Sequence, residues 1–134
     1  MSSADLAAAA RSLIPAGANH YETEVDADNP DLPWIVSNVE VPDDAHTTEG
    51  GVSGGDLDVY FTVAGESERS VRLWLDRLVA AYRQRVTCEG WNVGAWVQYQ
   101  RPRIYPSNVI VGGVSAHVIT GVVGYRATVS QLPA

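Results

Sequence analysis

Residues 56–78 read DLDVYFTVAGESERSVRLWLDRL and join the clearest predicted strand of the chain to its longest predicted helix. In residues 57–63 apolar side chains alternate with polar ones, which is the two-residue period of a half-buried strand. Gly65 interrupts this alternation, and Ser67 is a suitable N-cap for a helix over residues 68–85. A strand that leads directly into a helix favours a helix packed across a sheet.

The predicted helix has one apolar face and one charged face. Its apolar residues recur at steps of three and four, which predicts a buried stripe: Val71, Trp74, Leu75, Leu78, Val79 and Tyr82. We expect this stripe to pack against strand residues Val59, Phe61, Val97 and Val123. Leu73 lies off the stripe, and we expect it to be exposed.

The rest of the chain is richer in strand patterns than in helix patterns. The predicted elements are a short helix over residues 3–14, a loop over 20–31, strands over 34–41, 91–99, 109–111 and 116–130, and a proline-bounded link over 101–106. Gly112 and Gly113 indicate a tight hairpin turn, and Gly121 and Gly124 indicate a bulge or a close backbone approach. Residues 43–56 are acidic and glycine-rich, which predicts a mobile loop.

These elements predict a single α+β domain over residues 1–134. A mostly antiparallel sheet carries one long helix packed across it and a short N-terminal helix. The length suits one domain with a real core. No apolar run is long enough to cross a membrane, and no signal-peptide pattern is present at the N-terminus, so we expect a protein of the cytoplasm.

Charge is unevenly distributed along the chain. The net charge is −7, and residues 1–68 contain 14 of the 16 acidic residues but one arginine, Arg11. Residues 69–134 contain the other eight arginines, and the chain has no lysine. An acidic chain is poorly suited to binding free nucleic acid. Unlike surfaces would suit head-to-tail self-association or unlike partners on two sides, although folding could also mix the two halves.

No set of residues indicates catalysis, a metal or a cofactor. His20, His46 and His117 lack ligand spacing, and Cys88 has no partner cysteine. The glycine-rich run over residues 49–56 leads into a strand, whereas a phosphate-binding loop leads into a helix. We therefore predict no catalytic residue, no metal and no cofactor, and read these histidines and the cysteine as structural or solvated.

Trp96 is the aromatic residue that the predicted core explains least. In the alternation over residues 91–99 it faces away from Val93 and Val97, together with Gln98. An exposed tryptophan on a sheet is a reasonable anchor for an interface. The alternative, burial of that face under a second helix, stays open at this point.

Four stretches resemble the tail terminator (tail completion) proteins of long-tailed phages. Residues 32–37 (LPWIVS) resemble the proline-aromatic start of that family's first strand, and residues 56–78 resemble its strand and long helix. Residues 89–93 (EGWNV) resemble the segment that reopens the sheet, and residues 124–130 (GYRATVS) resemble the closing strand. The resemblance covers about residues 32–130 and is one of pattern and order.

The resemblance implies a structural role without a reaction. Such proteins form a sixfold ring at the head-proximal end of the tail tube, where they stop tube growth and join the tail to the head connector or stopper. The implied partners are further copies of the chain, the tail tube protein and that head-side ring. DNA would only pass through the lumen. The protein would be made in the host cytoplasm and end in the virion. A neck or head-completion protein, and a small α+β enzyme or ligand-binding domain, are the alternatives.

A heterologous ring needs two unlike patches on each subunit, and the arginines are candidates for one of them. The candidate subunit or partner interface residues are Arg69, Arg72, Arg77, Arg83, Arg101, Arg103 and Trp96. The candidate lumen or rim residues are Asp43, Asp44, Glu49 and Asp56. Pairing of these arginines within one chain, or their solvation, is the alternative to an interface.

Overall fold

A computed structural model describes residues 3–23, 32–42, 54–111 and 114–132. The elements in chain order are α1 (Ser3–Arg11), β1 (Asn19–Glu22), β2 (Trp34–Glu40), β3 (Gly54–Gly65), α2 (Glu68–Ala81), β4 (Trp91–Val93), β5 (Val97–Val111) and β6 (Val114–Gln131). The mixed architecture and the mostly antiparallel sheet confirm the predicted class. The single long helix is wrong, because α2 has 14 residues and the strands β5 and β6 have 15 and 18.

The sheet is organised around its longest strand, β6. One edge of β6 pairs antiparallel with β3, and the other edge pairs antiparallel with β4 and then with β5. β2 pairs antiparallel with β3, and β1 adds to β2 in the parallel sense. Val111 of β5 lies opposite Val114 of β6, which confirms the predicted hairpin. Gly112 and Gly113 themselves lie outside the described residues.

α2 begins where predicted and ends earlier. The Ser67 side chain accepts a hydrogen bond from the Ser70 backbone N–H at 3.2 Å, and this caps the helix. After Tyr82 the backbone bonds tighten to the third preceding residue, with the N–H groups of Arg83 and Gln84 donating to Ala80 and Ala81. The tighter turn ends the helix four residues before the predicted end.

The predicted apolar stripe of α2 packs on β3 and β6. Leu75 and Leu78 are buried together with Val59, Phe61 and Val123 in one core cluster. Leu73 is 48% exposed, as its position off the stripe predicts. Val79 is only partly buried, so the stripe is narrower than expected.

Gly121 of β6 allows α2 to approach the sheet closely. A Cβ atom at Gly121 would lie 2.6 Å from Val71 Cγ1 and 2.8 Å from Leu75 Cδ1. Such distances leave no room for a side chain, because core atoms are already close-packed. The prediction of a close backbone approach at Gly121 is therefore confirmed.

α1 is held to the core by Tyr82. The Tyr82 hydroxyl donates a hydrogen bond to the backbone carbonyl of Ala10, the last buried residue of α1. The Tyr82 ring stacks on Tyr125 and contacts Phe61, both at a centroid distance of 5.1 Å. One aromatic side chain thus joins the two helices to β3 and β6.

Two segments predicted to be irregular are strands. Residues 20–22 of the predicted 20–31 loop belong to β1, which spans Asn19–Glu22. The 101–106 link lies within β5, where register shifts between Gln98 and Gln100 and between Gln100 and Arg103 accommodate Pro102. β5 pairs only with β6 among the described strands, so a proline does not break a second ladder.

The predicted strand over residues 91–99 is interrupted at residues 94–96. Val93 lies opposite Val129, and Val97 lies opposite Arg126, so one extra residue separates the two pairings. Because side chains alternate along a strand, this residue exchanges the two faces of the sheet. Val97 is 65% exposed, which makes its predicted place in the core wrong.

Candidate interaction surfaces

The predicted helix arginines lie on the outer side of the domain. Arg69, Arg72 and Arg77 are exposed on α2, and Arg83 is exposed just beyond its end. The Arg72 Nη2 atom donates to Glu68 Oε1 at 2.7 Å, one helical turn away. The Arg77 guanidinium lies 4.6 Å from the centroid of the Trp74 ring. Two of the four arginines therefore have a partner within the chain.

The other arginines keep their guanidinium groups available. Arg69, Arg83, Arg101 and Arg103 are exposed, and each has no carboxylate within 4 Å in the part of the chain that the structure describes. Arg101 and Arg103 stand at the bulged part of β5. Guanidinium groups that have no carboxylate nearby in their own chain can bind carboxylates of a partner protein.

Trp96 is not an exposed anchor. It lies on the α2 side of the sheet, where its ring meets Tyr82 edge-on at a centroid distance of 5.4 Å. Its indole nitrogen is buried, with no hydrogen-bond partner among the described residues. The exchange of faces at residues 94–96 puts Trp96 and Gln98 on the α2 side of the sheet. Gln98 is exposed there, and its Nε2 atom donates to the Tyr125 hydroxyl at 3.4 Å. Trp96 is therefore partly buried against the core, although by the exchange of faces rather than under a second helix on the other face.

Of the four predicted lumen or rim residues, the structure describes Asp56. It belongs to β3 rather than to a loop and is exposed, with its Oδ2 atom 3.7 Å from Arg126 Nε. Arg126 also grips the neighbouring Asp58 with two bonds, of 2.7 and 2.9 Å, and this fork raises the pKa of Arg126. Asp43, Asp44 and Glu49 lie outside the described residues.

The sheet face opposite α2, here called the open face, has a tyrosine and arginine surface that the sequence patterns did not reveal. The Tyr99 ring lies directly over Gly124, where a Cβ atom would be 2.7 Å from Tyr99 Cζ. This second close approach confirms the prediction for Gly124. The guanidinium of Arg126 lies 5.0 Å from the Tyr99 ring centroid. Tyrosine and arginine are among the residue types enriched in protein interfaces.

Next to Tyr99 the open face has a pocket of about 280 Å³. It is lined by Tyr60, Gln100, Arg103, Tyr105 and Val122. A second groove, of about 330 Å³, runs between α2 and β5, with Leu75, Ile104 and Ile119 at its base and Glu68 and Arg72 at its rim. The alternation in residues 57–63 was the available signal for Tyr60, since it put Tyr60 on the side away from the core.

A polar cluster fastens α1 to β1 and β2. Ser37 is fully buried, and its hydroxyl accepts a hydrogen bond from Arg11 Nε at 2.8 Å and lies 2.8 Å from His20 Nε2. Arg11 Nη1 also lies 3.6 Å from Glu22 Oε2. The Ser37 hydroxyl is buried whereas His20 is exposed, and the two contacts of this hydroxyl join α1 and β1 to β2. The arrangement is a structural link.

His20 makes this link sensitive to pH. Partial burial and the nearby Arg11 lower the pKa of His20 below its ordinary value of 6.5, against the opposing effect of Glu22. The unfolded chain then binds more protons than the folded chain around that pH, so stability falls as pH drops through 6.5 and below. We expect the urea midpoint to fall more between pH 7.5 and 5.5 in the wild type than in His20→Gln. Equal falls would contradict this assignment.

The described residues include no group of three or more side chains that could hold a metal ion. None of the helices in the described ranges is long and apolar enough to cross a membrane. The chain matches no known protein-family model and no curated protein.

Proposed function

We propose that this chain is a structural protein of a long-tailed phage that forms a ring at the head-proximal end of the tail tube. The ring ends tube polymerisation and joins the tail to the head connector. The observation that carries the proposal is the set of exposed arginines on α2 and β5 that have no carboxylate partner among the described residues. The resemblance over residues 32–130 supports the same role.

The physical argument concerns the geometry of a ring. A closed ring of identical subunits needs a heterologous contact, in which one patch meets a different patch on the neighbour. In the proposed ring, arginines of residues 69–134 that have no partner among the described residues would form one patch, and carboxylates of residues 1–68 would form the other. Long-range attraction between unlike patches also guides docking to a template, which suits a subunit that joins only a finished tube.

The copy number in the particle tests this proposal. We expect a reconstruction of the virion to show six copies of the chain in one ring, with a mass of about 86 kDa from subunits of 14.4 kDa. The ring should lie between the last tube layer and the head-side connector. Threefold, fivefold or twelvefold copies would contradict a tail terminator, and a position wholly within the head connector would assign the chain to the neck instead.

A further inference from the structure

The pocket on the open face has an unusual balance of hydrogen-bond donors and acceptors. Its polar lining consists of the Arg103 guanidinium, the Tyr60 and Tyr105 hydroxyls and the Gln100 carboxamide, above an apolar floor at Val122. None of the lining residues is acidic. All four of these groups carry N–H or O–H donors, and the guanidinium is always charged. Gln100 Nε2 already donates one hydrogen bond to the Arg101 backbone carbonyl at 3.1 Å. The lining is therefore complementary to an oxyanion.

Carboxylates on the nearby part of the open face do not neutralise the positive charge of Arg103 in this pocket. Asp58 is held by the two-bond fork from Arg126, so its charge is already paired. Arg103 has no carboxylate within 4 Å in the described ranges. Burial and the neighbouring Tyr105 raise the pKa of Tyr60, against the lowering effect of Arg103, and this keeps the Tyr60 hydroxyl protonated as a donor at neutral pH.

β5 is shaped to bring these groups together. The register shifts on either side of Gln100 occur where β5 passes Gly124 and Val122. Bulges bend a strand and re-aim its side chains, and they are common beside functional sites. Tyr60 comes from β3, and Gln100, Arg103 and Tyr105 come from β5, so the site depends on the fold rather than on one segment.

We propose that this pocket binds an aspartate or glutamate side chain from the acidic first half of a second copy of the chain. A carboxylate fits a guanidinium fork, and a volume of about 280 Å³ is large enough to admit an acidic side chain. A second copy is the occupant favoured by charge, because 14 of the 16 acidic residues lie in residues 1–68. This inference rests on the proposed ring, for which it names one side of the subunit contact.

The test uses full-length protein labelled with nitrogen-15 and two peptides from its own sequence. The peptides are residues 22–31 (ETEVDADNPD) and residues 40–49 (EVPDDAHTTE), each compared with a version in which Asn and Gln replace the acids. We expect at least one acidic peptide to shift the Arg103 Nε–H resonance and the ring resonances of Tyr60 and Tyr105 in a saturable way. The neutral versions should bind at least tenfold more weakly.

Matched variants separate the pocket from general charge. Arg103→Gln should weaken peptide binding at least tenfold, as measured from the ring resonances of Tyr60 and Tyr105. Arg101→Gln removes the same charge outside the pocket and should change the peptide affinity less than twofold. Tyr60→Phe and Tyr105→Phe should each weaken binding about threefold. Circular dichroism checks that each variant is folded.

Three results would overturn the inference. The first is that neither acidic peptide binds. The second is that Arg101→Gln weakens binding as much as Arg103→Gln does. The third is that inorganic phosphate alone binds as tightly as the better peptide, which would assign the pocket to a free anion. The copy number in the particle is measured separately. A failed pocket with six copies in the ring would therefore overturn this contact and leave the proposed function standing.

Discussion

Replacing Leu78 by alanine is expected to lower the free energy of unfolding by about 2–5 kcal/mol. Leu78 is fully buried on α2, in the same cluster as Phe61 of β3 and Val123 of β6. The shorter side chain removes buried apolar surface and leaves a cavity that a helix fixed at both ends cannot close. Urea unfolding followed by tryptophan fluorescence and circular dichroism gives the difference.

Leu73→Ala is the matched control for this prediction. Leu73 lies on the same helix and undergoes the same chemical change, but its side chain is 48% exposed. Exposed substitutions usually change stability by less than about 0.5 kcal/mol. We expect the Leu73 variant to lose clearly less stability than the Leu78 variant. Equal losses would mean that α2 presents a different face to the sheet.

The strand and helix in residues 56–78 were predictable because their signals are local. Alternation along β3, the Ser67 cap and the helical spacing of Leu75 and Leu78 depend on neighbours only a few residues away. Gly121 was also informative from the sequence, because a glycine inside a strand often marks a close approach of another element. Its contact with α2 is of that kind.

The errors occurred where distant pairing decides the structure. β1 has only four residues and a polar sequence, and it is a strand because it pairs with β2. Pro102 indicated a link, but an edge that pairs with none of the described strands, together with two register shifts, allows a proline in β5. The extra residue at 94–96 exchanged the faces of Trp96 and Val97, an effect that no periodicity within residues 91–99 could reveal.

The candidate surfaces also divide into features that local sequence predicts and features that depend on distant strand pairing. Exposure of the arginines on α2 followed from the helix period, since residues opposite a buried stripe face solvent. The pocket on the open face did not follow from the sequence, because Tyr60 and Arg103 lie on different strands and meet only through the pairing of β3 and β5 with β6. No local motif marks such a site.

If the chain joins tails to heads as proposed, exchanging both Arg101 and Arg103 for glutamate is expected to leave the domain folded and to block that joining. Both side chains are exposed and have no carboxylate within 4 Å in the described part of the chain, so the fold loses no ion pair found there. A partner patch that is acidic would be repelled by the new charges. Complementation of a phage that lacks the gene should give a drop in infectious particles of at least about a hundredfold, since several like-charge contacts repeat around a ring and each adds to the cost.

The loss of joining in the double glutamate variant must be distinguished from an effect of the lower net charge alone. Arg101→Gln with Arg103→Gln lowers the net charge by two units, as does Gln84→Glu with Thr87→Glu at exposed positions between α2 and β4. If β5 makes the contact, the glutamine pair weakens joining and the Gln84/Thr87 pair does not. Raised salt should also weaken joining by the wild-type protein, because ions screen exposed charges over about 10 Å at 0.1 M. Normal infectious particles from the double glutamate variant would remove these two arginines from the interface. Each contact would otherwise carry two reversed charges, a change of four charge units, against an acidic patch that repels them.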